Sequence, residues 1–288
     1  MSDTAGAAKI DVEAAIAELT GGAGFVRFEG FYSPAETREA REIVYASAEH
    51  EPTRASHFHG DDEVVTQKRV WNLIDKGEIF RTMAAESRML AILEPLLGRG
   101  LSLCSIAANV LYPGAPAQEP HIDYPYWDLH TRENFPNTLN ASFFLGIESL
   151  IMLDELTEEN GATALVPGSQ KWASWPTSAA FEAKKVRLTG PAGTLVLFPA
   201  FMWHAGQENR SDAPRAVVLG CHVSKFVRPI EDWKAGLRPE TVGALSPRLR
   251  ELLYLDHPYP AVMDALPGRS SEGTRSTREL RRDDPARG

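Results

Sequence analysis

The chain has 288 residues, 43% of them hydrophobic, enough to bury one substantial core as a single domain. Its formal net charge of -9 and sequence pI near 5.4 argue against the broad basic surface that neutralises phosphates along nucleic acid, and point to a small or neutral partner. Two cysteines, Cys104 and Cys221, are too few for a disulfide framework and fit a reducing compartment.

The opening run MSDTAGAAKIDVEAAIAEL lacks the basic start and continuous apolar stretch of a secretory signal. No apolar run approaches the roughly 18 residues that span a bilayer, so a cytoplasmic chain without membrane contact is expected. Asp11 is placed to cap a short amphipathic helix carrying Val12, Ile16 and Leu19, which Gly21-Gly22 ends before the strand-like run GFVRFEGF. Ser33-Pro34-Ala35-Glu36 then reads as a capping box with proline at the first helical position, opening a helix through about Ser47. His50 to Gln67 is polar and irregular, and Glu78 to Leu97 has apolar residues at helical spacing up to Gly98.

From Leu101 short β-like runs take over: LSLCSIAANVLY, LNASFFLGIESLIML, ATALVPGS, VRLTG, GTLVLFP and RAVVLGCHVS. Such spacing predicts a mainly β fold, an antiparallel sandwich or barrel with helices on one face, of which the double-stranded jelly roll closes its sheets around a ligand-sized interior. One domain is expected over residues 1–266: a helical layer to about 98, a jelly-roll core over about 99–230 and a helical extension over about 231–266. Residues 267–288 have almost no apolar side chains and are expected to form a mobile tail. Oligomeric state is not legible.

With eight histidines and 39 acidic residues, about one His-x-Asp pair is expected by chance, so a pair alone means little. Two occur. His59-Gly60-Asp61 lies in a polar stretch and reads as solvated loop. His121-Ile122-Asp123 follows a β run and a Pro/Gly turn, where alternation would point residues 121 and 123 to the same side. A facial triad needs two imidazoles and one carboxylate, with positions left open for oxygen and a cosubstrate. His204, just beyond GTLVLFPAFMW, is the candidate third ligand. Arg215 opens the apolar run RAVVLG and either sits at an exposed end or pairs with a buried anion, and a guanidinium suits an oxoacid carboxylate.

His121-x-Asp123, His204 and Arg215, with EENGATALVPGSQK and PAGTLVLFPAFMWHAG, resemble the phytanoyl-CoA dioxygenase family over roughly Gly24 to Val227. The resemblance implies a double-stranded β-helix, Fe(II) held by His121, Asp123 and His204, and 2-oxoglutarate anchored by Arg215. It further implies consumption of O2 and release of succinate and CO2, with hydroxylation of a small molecule, such as a specialised metabolite or amino-acid derivative, as the usual outcome. Similarity to members that tailor natural products adds Gln118, Thr163 and Asn72 as cosubstrate contacts. An exposed turn, an ordinary strand residue and a helix cap, respectively, are the plainer readings of those three. Desaturation, endoperoxide formation and halogenation are alternatives on the same centre, the last disfavoured because Asp123 stands where halogenating relatives carry a small residue. A ligand-binding barrel without turnover is the alternative from another class. In YPYWDLH, Tyr124, Tyr126 and Trp127 are candidate walls for substrate, or edge packing. Glu148 meets a substrate amine or hydroxyl if it points inward and is solvated if it points outward.

Overall fold

The computed structural model describes residues 10–51, 66–98, 100–126, 144–172 and 174–256. Trp127, the His59-Gly60-Asp61 pair and the 267–288 tail lie outside them. Asp11 caps α1 (Val12–Gly21) through the Ala14 amide, and β1 (Val26–Phe28) follows. The capping box forms as expected at α2 (Pro34–His50), with Ser33 and Glu36 each accepting from the other's backbone. Next come β2 (Gln67–Val70), α3 (Leu73–Lys76), α4 (Glu78–Ala84) and α5 (Ser87–Leu97). The single helical stretch expected over Glu78 to Leu97 is therefore two helices, because the Glu86 carboxylate accepts from the Arg88 amide and caps a new start. The remaining elements are β3 (Ser102–Leu111), β4 (Gly146–Met152), β5 (Ala164–Leu165), α6 (Ser178–Lys184), β6 (Val186–Arg187), β7 (Leu195–Pro199), β8 (His204–Ala205), β9 (Arg215–Val223), α7 (Trp233–Gly236), α8 (Pro239–Ala244) and α9 (Pro247–Leu252).

Six strands pair in the order β1-β7-β4-β9-β3-β2 and three in the order β6-β5-β8, antiparallel throughout. The stretch before residue 98 is thus more than a helical layer, since β1 and β2 form the two edges of the larger sheet. Strand alternation sorts its side chains. Ile147 and Ile151 of β4, Leu195 and Leu197 of β7 and Ala216 and Val218 of β9 pack outward against Leu19, Val44, Phe80 and Ile92 of the helices. The intervening residues Leu150, Met152, Val196, Phe198 and Val217 face the smaller sheet, where Leu165 and Met202 meet them. The interior between the sheets therefore receives Glu148 and Arg215, which share the inward parity of their strands.

His222 takes the outward parity of β9 and is buried, its Nε2 3.2 Å from the Ala84 carbonyl of α4. Burial pushes its pKa down to about 4, with Arg248 adding to the effect and the Ala84 contact opposing it. An unfolded chain binds a proton on this imidazole below its ordinary range near pH 6.5, while the folded chain refuses it until about pH 4. Stability from this group is present in full above about pH 6.5 and declines as pH falls toward 4, by about 3 kcal/mol in all. Denaturant melts at about pH 7.5 and about pH 4.5 should show His222→Asn losing much less stability on acidification than wild type; equal losses would contradict this account.

Candidate metal centre

His121 and His204 meet through their backbones: each amide donates to the other's carbonyl, at 3.0 and 3.1 Å, closing an antiparallel bridge. That bridge sets the two imidazoles side by side, their planes tilted by 60° and their centroids 4.4 Å apart. The Asp123 amide donates to the Ala200 carbonyl at 2.7 Å, which brings its carboxylate to the same place. Oδ2 lies 2.9 Å from His204 Nε2 and Oδ1 lies 3.8 Å from His121 Nε2. One ligand atom from each of the three residues falls within 4.8 Å of the others, the one such His/Cys/Asp/Glu group among the described residues.

The ring tautomers follow from the outer contacts. His121 Nδ1 lies 2.7 Å from the Glu119 carbonyl and His204 Nδ1 lies 2.9 Å from the Met202 carbonyl. A carbonyl only accepts, so both Nδ1 atoms carry hydrogen and both Nε2 atoms face the cluster, where His204 Nε2 donates to Asp123 until a metal displaces its proton. Burial, then the neighbouring His204, pushes the His121 pKa down to about 3. For His204 burial acts in the same direction, but the Asp123 charge and hydrogen bond outweigh it and raise the pKa. Burial works against ionisation of Asp123 too, and the two imidazoles and Arg69 overcome it, so the carboxylate stays anionic. With the His204 proton displaced, two nitrogen donors and one anionic oxygen on one side of a small volume suit a divalent first-row metal.

Arg215 begins β9 and is only 2% exposed. Its Nη2 donates to the Gly161 carbonyl at 2.6 Å, while Nε and Nη1 are buried without a partner among the described residues. Burial lowers its pKa to about 10, although Tyr45 and Asp154 pull the other way. A buried cation with two free donors fits an anionic ligand. Gly161 holds its carbonyl in place with φ +82°, and a Cβ there would meet the Gln207 carbonyl oxygen at 2.6 Å and Leu111 Cδ2 at 2.8 Å. Only glycine fits without rearrangement.

The other sequence candidates divide. Gln118 Oε1 accepts from the Gly206 amide at 2.8 Å, two residues beyond His204, and Thr163 is buried beside β5. Asn72 has a left-handed backbone, φ 56°, and its carboxamide donates to Asp75 Oδ2 at 3.2 Å and to the Gly236 carbonyl at 2.8 Å, away from Arg215's partners. Tyr126 is buried among Ile122, Phe181 and Phe201, with its hydroxyl accepting from the Leu145 amide. Tyr124 is half-buried and donates to the Arg228 carbonyl at 2.7 Å. Glu148 points inward at 8% exposure; burial, then the charge of Asp123, raises its pKa well above the ordinary carboxylate range.

Arg69 was not legible as part of the site. It lies on β2, and burial costs it basicity while Asp123, Glu148 and Glu231 act to restore it. Its signal in the sequence is alternation through Gln67, Arg69 and Trp71, with Val70 on the opposite, helix-facing side.

An antiparallel two-sheet barrel with two histidines and one aspartate converging inside it, and a buried arginine with donors to spare, is the arrangement of a non-haem iron oxygenase that consumes an oxoacid. The family model for phytanoyl-CoA dioxygenase (PhyH) matches residues 22–217, and the chain belongs to that family of Fe(II)/2-oxoglutarate-dependent dioxygenases. It is 28% identical over 251 residues to Dioxygenase af480 of Aspergillus fumigatus, covering 81% of this chain and 74% of that one. It is 27% identical to Multifunctional dioxygenase ausE of Aspergillus calidoustus, over 80% of this chain and 79% of the other. The solved structure of the epimerase SnoN with Fe3+, alpha ketoglutarate and nogalamycin RO superposes with a TM-score of 0.58 at 19% identity, over 79% of this chain and 90% of that one. That likeness establishes the double-stranded β-helix fold. Among the described residues no helix is long and apolar enough to cross a membrane.

Proposed function

We propose that this dioxygenase hydroxylates a small organic molecule, a specialised metabolite or amino-acid derivative, with His121, Asp123 and His204 as the iron ligands. The observation that carries the reading is the convergence of two Nε2 atoms and a carboxylate in one buried cluster. Iron bound there would supply oxygen activation coupled to the oxidative decarboxylation of 2-oxoglutarate to succinate and CO2.

The chain's own part is positioning. Arg215 offers Nη1 and the second Nη2 hydrogen as a fork to the far carboxylate of 2-oxoglutarate, and Gly161 fixes the guanidinium by taking the other Nη2 hydrogen. Gln118 ties the segment after His204 to the segment before His121, and Thr163 flanks Gly161 and Ala162. Asn72 is left out of the cosubstrate contacts, because its carboxamide is occupied by Asp75 and Gly236.

A panel of small molecules incubated with the protein, Fe(II), 2-oxoglutarate and O2 tests the reading, with substrate-dependent succinate and product mass followed together. Hydroxylation predicts a gain of one oxygen, about 16 Da, for each succinate. A loss of two hydrogens, a gain of two oxygens or a chloride-dependent product would replace hydroxylation by desaturation, endoperoxide formation or halogenation. An unchanged mass would match the epimerisation named for SnoN, and no succinate with any ligand that binds would favour a non-catalytic barrel.

A further inference from the structure

We infer that Glu148 selects the substrate, and that the molecule accepted has a bulky apolar body and a hydrogen-bond donor, a hydroxyl or a protonated amine, that reaches the Glu148 carboxylate. This rests on the reading of the site as an Fe(II)/2-oxoglutarate centre.

The interior has two ends, set by β9. Arg215 opens the strand and Cys221, of the same inward parity, lies six residues on, about 20 Å along it. Cys221 is paired in register with Glu148, so Glu148 stands at the end opposite the cosubstrate anchor. The electrostatic neighbours agree. Arg215 feels Tyr45 and Asp154, whereas Glu148 feels Asp123 and Arg69. Asp123, tied through Ala200 to Gly146, two residues before Glu148, thus lies near it, at the end the cosubstrate anchor does not occupy.

Glu148 is an odd residue for its setting. It interrupts the run GIESLIM, every residue of which is buried. The group beside it that can donate is the thiol of its register partner Cys221, a weak donor. Arg69 acts on it without forming an ion pair. Burial and Asp123 hold the carboxyl back from its charged form, its acceptor oxygens short of strong donors; a ligand hydroxyl would satisfy them, and a ligand ammonium would draw the group to the charged form. A ligand carboxylate would instead bring a second negative charge to a site where Asp123 already opposes one.

The surroundings are apolar. Cys221 packs with Cys104, Val223 and Val227, with Tyr124 and Leu145 against them. Of the four large hydrophobic side chains exposed among the described residues, three belong to segments joined to this end: Trp71 at 44%, Phe226 at 66% and Ile230 at 47%. Trp71 follows β2 and lies under the Arg69 guanidinium, 5.6 Å from it. Phe226 and Ile230 ride on the segment leaving β9, which is pinned by Tyr124 donating to the Arg228 carbonyl and by the Glu231 amide donating to the Cys104 carbonyl. A large apolar body with one donor matches such a lining.

Three probes on one tricyclic frame test this: phenanthrene-9-methanol, 9-aminomethylphenanthrene and phenanthrene-9-carboxylic acid, titrated calorimetrically into anaerobic protein loaded with Fe(II) and 2-oxoglutarate. The wild type should bind the alcohol and the amine about tenfold or more tightly than the acid, the scale of one charge-assisted hydrogen bond. Glu148→Leu should erase both preferences, and Glu148→Gln should keep the alcohol while losing the amine, with 2-oxoglutarate affinity unchanged in each. Should the leucine variant fail to fold, the glutamine variant decides through the amine alone. Equal binding of the three probes, binding of none, or discrimination retained in the variants overturns the inference. Failure of the wild type to bind 2-oxoglutarate in the presence of Fe(II) overturns the underlying reading, and this one with it.

Discussion

Asp123→Ala is expected to abolish succinate formation and to strip the protein of iron. The carboxylate is the single anionic donor of the cluster, 2.9 Å from His204 Nε2, and its removal leaves two neutral imidazoles that cannot balance a divalent charge. Loss of an outer partner typically costs a metal site 10–100-fold, and loss of a ligand should cost well beyond that. His121→Ala should behave alike, since its Nε2 is one of two nitrogen donors. The fold should persist, because the bridge between residues 121 and 204 is made by backbone atoms that alanine keeps. Metal content after anaerobic loading, succinate release and a thermal melt check the three parts separately. Substrate-dependent turnover retained in both variants would remove these residues from the iron site.

Local chemistry was legible wherever one residue's own backbone or near neighbours decide the outcome. Asp11 and Ser33 cap the helices their sequence places them before, and the long apolar runs became β3, β4, β7 and β9. What escaped reading depends on distant partners. β8 is two residues long and exists through pairing with β5, which no window around His204 contains. β2 has little apolar alternation because its inward residues, Gln67 and Arg69, face a polar interior; Gln67 donates to Asn109 there at 2.6 Å. For the same reason His121, Asp123 and His204 were legible as an ordered set, while Arg69 was not. Tyr126 shows the converse. An aromatic residue three positions past Asp123 suits a pocket wall, yet its hydroxyl is taken by the Leu145 amide and its ring by Phe201, 5.0 Å away.

The proposed anchor role of Arg215 makes a prediction with opposite signs in two measurements. Arg215→Met removes the two unpartnered buried donors and replaces most of the side chain with apolar volume. Breaking a buried charge pair costs about 2–5 kcal/mol, so the 2-oxoglutarate requirement should rise roughly 30-fold to several-thousand-fold. Arg215→Lys should recover only part of this, since an ammonium lacks the planar fork that engages a carboxylate through two bonds. Without cosubstrate the balance reverses. There the wild type carries a guanidinium at 2% exposure with one hydrogen bond, to Gly161, and no anion within reach of Nε or Nη1 among the described residues. Replacing an unsupported buried charge by apolar volume is neutral or stabilising, so the cosubstrate-free Arg215→Met protein should melt at or above the wild-type temperature. Added 2-oxoglutarate should raise the melting temperature of Fe(II)-loaded wild type by mass action and leave the variant unmoved at the same concentration. A structural arginine would give the opposite pair of results: a lower melting temperature for the variant without cosubstrate, and an unchanged response when cosubstrate is added.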